Sequence, residues 1–209
     1  AELSANRTSL DNQLRSIQTL NEQLLFAAYH DSLTNLYNRA WLANALKDCI
    51  AVAQKTGIKF GIILLNIDNM KDINDSRGHN AGDDQIRQAA TLLRLLESKN
   101  VIATRFGGDE FVVLCKCVKD RDDVLYTGRK ILDFFNAEGM GISGGISVCP
   151  DDTLDSSDLL KFADMAKVEI KRNGKNSVAC FHSVMQEKFM RKLNIETKLT
   201  VPALLPASV

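Results

Sequence analysis

The chain has 209 residues and a mass of 23.1 kDa, with 26 Lys and Arg against 26 Asp and Glu, 45% hydrophobic and 25% charged residues, enough apolar content to bury a core. A formal charge of +0 excludes a non-specific duplex-DNA binder, which needs a basic surface to displace counterions, so nucleic acid is not an expected partner. No apolar run approaches the length of a membrane span, and the opening AELSANRTSLDNQLRS is too polar for a signal peptide, so a cytoplasmic location without membrane contact by this segment is expected. The missing initiator Met and the tail VPALLPASV suggest a piece of a larger parent, which could itself be membrane-anchored.

Leu3, Leu10, Ile17 and Leu24 recur every seven residues, with Leu14 and Leu20 filling the same stripe, as in a coiled coil. Such a helix either lies on its own domain or pairs in parallel with another chain; the second is favoured, since little before Leu24 has core volume. After a turn-rich stretch, Asp31 to Arg39, helical spacing resumes from Trp41 to Gln54 and closes at Gly57. Lys59 to Ile67 is a continuous apolar run that reads as a buried central strand.

A helix is expected from Ala81 to Leu96, then two strands, Val101 to Phe106 and Phe111 to Cys117, flanking Gly107 and Gly108. A helix from Asp122 to Phe135, a strand from Gly141 to Cys149, a helix from Ser157 to Arg172 and a strand from Ser177 to Phe181 complete an α/β or α+β domain. From His182 onward, Met185, Phe189, Leu193 and Ile195 space as a connector helix. The expected division is a signalling helix at 1–28, a globular domain at 29–182, and a connector and tail at 183–209.

Cys49, Cys115, Cys117, Cys149 and Cys180 form neither a paired metal spacing nor a disulfide framework and read as small hydrophobes. Strand alternation would set Cys115 and Cys117 on one face.

The densest polar cluster follows the buried strand, from Asn66 through Asp68, Lys71, Asn74 and Asp75 to Gly78, His79, Gly82 and Asp83. By itself it is either a solvated loop or a nucleotide and metal site at the carboxyl end of a strand. Arg105-Phe106-Gly107-Gly108-Asp109-Glu110-Phe111 favours the site: its glycines admit a ligand close to the backbone, and its carboxylates suit a hard cation.

Gly-Gly-Asp-Glu-Phe between two strands resembles the signature of GGDEF domains, the diguanylate cyclases. Asp31 to Arg39 is similar to the family's opening motif, Lys71 to Asp83 to its guanine-site motif, and Ala163-Asp164 through Lys171, Gly174, Lys175 and Asn176 to its closing motif, in the family's order. The resemblance covers residues 29 to 182 and implies a mixed central β-sheet wrapped by helices, the palm-like fold of nucleotidyl cyclases. It implies a domain that condenses two GTP into cyclic di-GMP and pyrophosphate where two copies face each other, with two Mg²⁺ (or Mn²⁺) per GTP if the site is intact.

On the same resemblance, Asn74 and Asp83 read guanine, whose polarities adenine reverses. Lys71, Lys171 and Lys175 clamp the triphosphate, and Gly107 and Gly108 underlie it. Asp109 and Glu110 serve catalysis and metal binding, completed by the backbone carbonyl of Ile67 and by position 66. Asp31 and Arg39 are expected to form a structural ion pair.

The family usually carries Asp where this chain has Asn66, so one compensating charge is missing from the metal site. Asp68, on the same side of the strand by alternation, is a candidate substitute. The stretch Ser98 to Val101 lacks the Arg-x-x-Asp with which many relatives bind product, so no product inhibition is expected there. Two functions follow: a diguanylate cyclase impaired by Asn66, or a degenerate GTP-binding module regulating a neighbour. The partners expected are GTP, a second copy of the chain, an upstream sensor, and a downstream EAL phosphodiesterase domain suggested by the connector helix.

Overall fold

The computed structural model describes residues 2–187 and 191, with side chains from residue 12 onward. Helix α1 (Glu2–Tyr29) is followed by α2 (Arg39–Thr56), β1 (Lys59–Ile67), α3 (Met70–Arg77), α4 (His79–Leu95), β2 (Val101–Gly107), β3 (Glu110–Val118), α5 (Arg121–Ala137), β4 (Ile142–Cys149), α6 (Ser156–Arg172) and β5 (Ser177–Cys180). The strands form one sheet in the order β2-β3-β1-β4-β5. β1 runs antiparallel to both β3 and β4, and β5 is parallel to β4, so the sheet is mixed, as expected.

β1 is central because it has no polar face until its end. Ile63, Leu65 and Ile67 pack with α4 and α5 residues such as Ile86, Leu93, Ile131 and Phe135. Phe60, Ile62 and Leu64 pack on the other face with Leu42 and Leu46 of α2 and Leu159 and Ala163 of α6. Alternation thus assigns even-numbered β1 residues to the layer of α2 and α6. α6 lies close to the sheet at Gly145: a Cβ there would stand 1.9 Å from the Ala163 carbonyl oxygen. The Ser147 hydroxyl, donating to the Leu159 carbonyl at 2.8 Å, fixes the same contact.

The polar segment after β1 is not a loop. Asn69, in the left-handed region at φ 59°, starts the two-turn helix α3, and Gly78 separates it from α4. The segment shows no apolar periodicity because mainly Met70 of α3 is buried, so its pattern could not reveal a helix. Cys115 and Cys117 do not share a face: a bulge in the β1–β3 register and φ 55° at Cys117 turn its side chain to solvent, leaving Cys115 buried. Burial pushes the Cys115 thiol up to about 12 and the Cys149 thiol to about 11, so both remain protonated near neutral pH.

Asn38 joins α1 to the domain. Its Oδ1 accepts from the backbone N–H groups of Ala40 and Trp41, capping α2, while its Nδ2 donates to the Ala28 carbonyl at 2.9 Å. Leu14, Ile17, Leu20 and Leu24 of α1 are all at least half exposed. The side chains of Leu3 and Leu10 lie outside the described residues, as do Phe189, Leu193 and Ile195 of the connector. Among the described residues, no helix is long and apolar enough to cross a membrane.

The loop from Asp31 to Asn38 is anchored by Arg105 rather than Arg39. The Arg105 Nη1 donates to both carboxylate oxygens of Asp31 at 2.9 and 3.0 Å, and its Nε and Nη2 donate to the Gly108 carbonyl at 3.1 and 2.9 Å. Arg39 instead lies over the Phe106 ring, 4.7 Å from its centroid. The expected Asp31–Arg39 pair is therefore corrected: the Asp31 carboxylate is taken by Arg105 of β2, and the Arg39 guanidinium is occupied on the Phe106 ring.

Gly145→Ala drives a methyl group into the α6 backbone and is expected to destabilise the fold by about 2–4 kcal/mol, read from the urea midpoint; an unchanged midpoint contradicts the packing. Burial raises the Asp31 pKa, but the Thr34 hydrogen bond and the Arg105 guanidinium outweigh it, so the group sits below its usual 3.8. Its stabilisation is complete above that usual value and fades as pH falls through the lowered one. Arg105→Ala is expected to lose about 1–3 kcal/mol near neutrality, with the gap to the unmodified chain closing in acid; a pH-independent gap overturns the assignment.

Candidate functional site

β1 places Asn66 opposite Glu110 of β3 on one side and Ser143 of β4 on the other. Opposed residues share a face, and residue 66 is even, so Asn66 and Glu110 both point toward α6. The last two turns of α6 present Lys167 and Lys171 there, four residues apart on one side of the helix. Lys171 donates to the Asn66 Oδ1, and Lys167 donates to the Glu110 carboxylate. Lys167 also pairs with Asp164 at 2.9 Å.

Lys167 is 4% exposed. Its burial alone would lower its pKa, but the hydrogen bonds to Glu110 and Asp164 outweigh that effect and raise it, so it is an ammonium at neutral pH. Asn66, 5% exposed, is a neutral amide between these groups.

The connection after α6 completes this end of the sheet. Lys175 and Asn176 adopt left-handed backbone at φ 63° and 46°. This brings the Lys175 Nζ to the Asn69 Oδ1 at 2.7 Å and the Asn176 N–H to the Asp68 Oδ2 at 2.9 Å. The other Asp68 oxygen accepts from the Ser143 hydroxyl at 2.7 Å. Asp68 is buried and bonded at both oxygens, so it fastens β4 and the α6–β5 connection and does not substitute for an acid at position 66.

Two clefts meet here. One, of about 250 Å³, is lined by Asn66, Ile67, Asp72, Asp109, Lys171 and Lys175, among others. The other, of about 430 Å³, is lined by Asn74, Asp75, His79, Ile86, Gly108 and neighbours. Met70, Lys71 and Asp109 border both. Asp109 forms the hairpin turn with Gly108, and its carboxylate takes no hydrogen bond or ion pair from a described residue.

In the larger cleft, the Asn74 Oδ1 is buried without a hydrogen-bond partner. It lies against Gly82, where a Cβ would stand 2.0 Å from it. An unpaired buried amide oxygen costs about 1–3 kcal/mol, which a donor in the cleft offsets once the amide turns away from Gly82.

Most of the expected site residues are therefore gathered: Asn66, Ile67, Lys71, Asn74, Gly108, Asp109, Lys171 and Lys175 line one cleft or both. Gly107 and Glu110 flank the turn without lining either cleft, and Asp83 is half-buried on α4 one turn after His79, also outside both. Sequence reasoning missed Lys167, Asn69 and Arg105 as site-shaping residues. The four-residue spacing of Lys167 and Lys171 on one helix was the available signal for the first. A larger cavity of about 610 Å³ lies between α1 and α2, walled by Phe26, His30, Tyr37 and Trp41, away from the ends of the strands that carry the acidic hairpin.

The expectation of two Mg²⁺ per nucleotide depended on an intact donor set. Mg²⁺ requires hard oxygen ligands and compensating charge. Asn66 supplies no charge and already accepts from Lys171, and Glu110 is engaged by Lys167, so of the three expected metal-ligand side chains Asp109 alone is unengaged among the described residues, with Asp72 the other carboxylate lining the smaller cleft. Among the described residues, no three Asp, Glu, His or Cys side chains converge to hold a cation. These side chains do not fit a two-metal centre.

Residues 28–177 match the family described as "Diguanylate cyclase, GGDEF domain". The probable diguanylate cyclase DgcE of Escherichia coli is 32% identical over 170 residues, covering 76% of this chain and 15% of that protein. The bifunctional diguanylate cyclase/cyclic di-GMP phosphodiesterase MucR of Pseudomonas aeruginosa is 29% identical over 189 residues, covering 86% and 27%. The chain thus spans less than a third of either relative. The structure of TpbB (YfiN) from Pseudomonas aeruginosa, comprising only the GGDEF domain, matches with a TM-score of 0.72 at 28% identity, covering 77% of this chain and 99% of that one. With the sheet order, the Gly-Gly hairpin and the family match in agreement over most of its length, the chain belongs to the GGDEF domain family of diguanylate cyclases.

Proposed function

We propose that this chain is a guanine-nucleotide-binding GGDEF domain, which takes up GTP across the two joined clefts and whose cyclase turnover is held low by the missing charge at Asn66. The observation that carries this reading is the meeting of the clefts at Lys71 and Asp109. The larger cleft offers the Asn74 amide, and Asp83 lies nearby on α4, for the base. The smaller cleft offers Lys71, Lys171 and Lys175 for the phosphates. Lysine binds phosphate as a point charge, and three of them offset much of a triphosphate's charge. The backbone at Gly107 and Gly108 leaves open space where a nucleotide would lie, since a Cβ at either meets nothing within 4 Å.

A residual diguanylate cyclase activity is a second reading. It is favoured by the unengaged Asp109 carboxylate and by the exposed stripe on α1, which would pair two copies so that their sites face. In either reading the domain can act on a neighbour in a longer polypeptide, an arrangement for which MucR, with both activities in its name, is a precedent.

GTP is expected to bind, with ATP weaker, and Asn74→Ala is expected to weaken GTP by about tenfold or more, measured by calorimetry. Incubation with GTP and Mg²⁺ or Mn²⁺ should yield at most traces of cyclic di-GMP, and Asn66→Asp should increase the yield. Absence of guanine-nucleotide binding overturns the proposal. Turnover by the unmodified chain at about 1 s⁻¹ or faster, within the ordinary enzyme range, contradicts the low-turnover part of it.

A further inference from the structure

We propose that Lys167 is a built-in counter-cation: its ammonium occupies the carboxylate of Glu110, so that the chain binds a nucleoside triphosphate with little dependence on divalent metal. This rests on the reading of the clefts as a GTP site, and it concerns what neutralises that site.

A lysine that is 4% exposed retains its charge only when paired, because an isolated buried ammonium is strongly disfavoured. Lys167 has two partners, Glu110 and Asp164. Asp164 is about half exposed and can be solvated by water, whereas Glu110 lies across the sheet from Asn66 on the face that α6 covers. Glu110 is therefore the partner that ties the lysine to the hairpin.

Charge at the site follows. With an acid at position 66, this end of the sheet and the smaller cleft would carry five carboxylates, counting Asp68, Asp72, Asp109 and Glu110, and a triphosphate could join them only with added cations. Asn66 removes one negative charge, the Lys167 ammonium, shared with Asp164, is bonded to Glu110, and Asp68 is hydrogen-bonded at both oxygens by the Ser143 hydroxyl and the Asn176 N–H. Asp109 is the hairpin carboxylate left unpaired, opposite Lys71, Lys171 and Lys175 in the smaller cleft. Protein ammonium groups thus supply locally the positive charge that divalent ions would otherwise bring. A cation approaching Glu110 must also displace an ammonium already hydrogen-bonded there and leave it buried without that partner.

GTP affinity is measured by calorimetry on the intact chain in EDTA and in millimolar Mg²⁺, with Mn²⁺ binding to the nucleotide-free chain followed by electron paramagnetic resonance. The unmodified chain should bind GTP in EDTA within about threefold of its affinity in Mg²⁺, and should take up no Mn²⁺ at concentrations that saturate an ordinary carboxylate site. The double variant Asn66→Asp with Lys167→Met, its fold checked by circular dichroism, should gain Mn²⁺ binding and a Mg²⁺ dependence of about tenfold or more. GTP binding by the unmodified chain that falls about tenfold or more in EDTA overturns the inference while leaving the nucleotide site intact. No GTP binding in either buffer overturns the reading on which it rests. The comparison on the unmodified chain decides the matter even if the double variant does not fold.

Discussion

The register of β1 between β3 and β4 is the constraint on which the rest of the molecule depends. Buried on both faces, the strand cannot slip by one residue without exchanging every side chain between the α4–α5 layer and the α2–α6 layer. That register places Asn66 opposite Glu110 and aims both at α6. The apolar sequence Ile62, Leu64 on that face ends at the first polar residue, and there the sheet becomes a site. The packing that stabilises the fold and the arrangement of charges that defines the site are the same geometric fact.

The hairpin is held to this frame by Arg105, whose guanidinium spans Asp31 in the opening loop and the Gly108 carbonyl in the turn. Asn38 closes the same loop and grips the end of α1. Hydrogen bonds at both ends of the opening loop therefore tie it to the long exposed helix and to the turn that carries Asp109. On the opposite side, Asp68 fastens the α6–β5 connection, which carries Lys175 to the smaller cleft. The two acids near the site that are most thoroughly hydrogen-bonded, Asp31 and Asp68, are structural, and Asp109 is left unengaged.

Much of this was legible in the sequence. β1 declared itself by an unbroken apolar run, α4 and α6 by helical spacing, and the hairpin by its paired glycines between strand patterns. What was not legible depended on contacts distant in sequence. Helix α3 has almost no buried face, so no periodicity marks it. The partner of Asp31 lies 74 positions away rather than eight. A bulge that turns Cys117 outward leaves no sign in an alternating pattern. Lys167 looks like any lysine on an amphipathic helix until the sheet places Glu110 beneath it. Asn66 was recognisable as a change of charge, but the sequence did not reveal that Asp68 was already committed elsewhere and that ammonium groups had taken up the local oxygens.

On the proposal above, lysines rather than divalent ions neutralise the end of β1 when a nucleotide is present. The most direct test is a crystal structure of the chain with a non-hydrolysable GTP analogue grown in Mn²⁺, with anomalous scattering recorded at the manganese edge. The triphosphate is expected to lie against Lys171 and Lys175, with Lys167 still bonded to Glu110 and no anomalous peak at that carboxylate. Two manganese peaks bridging Asp109 and Glu110, with Lys167 displaced, would contradict it.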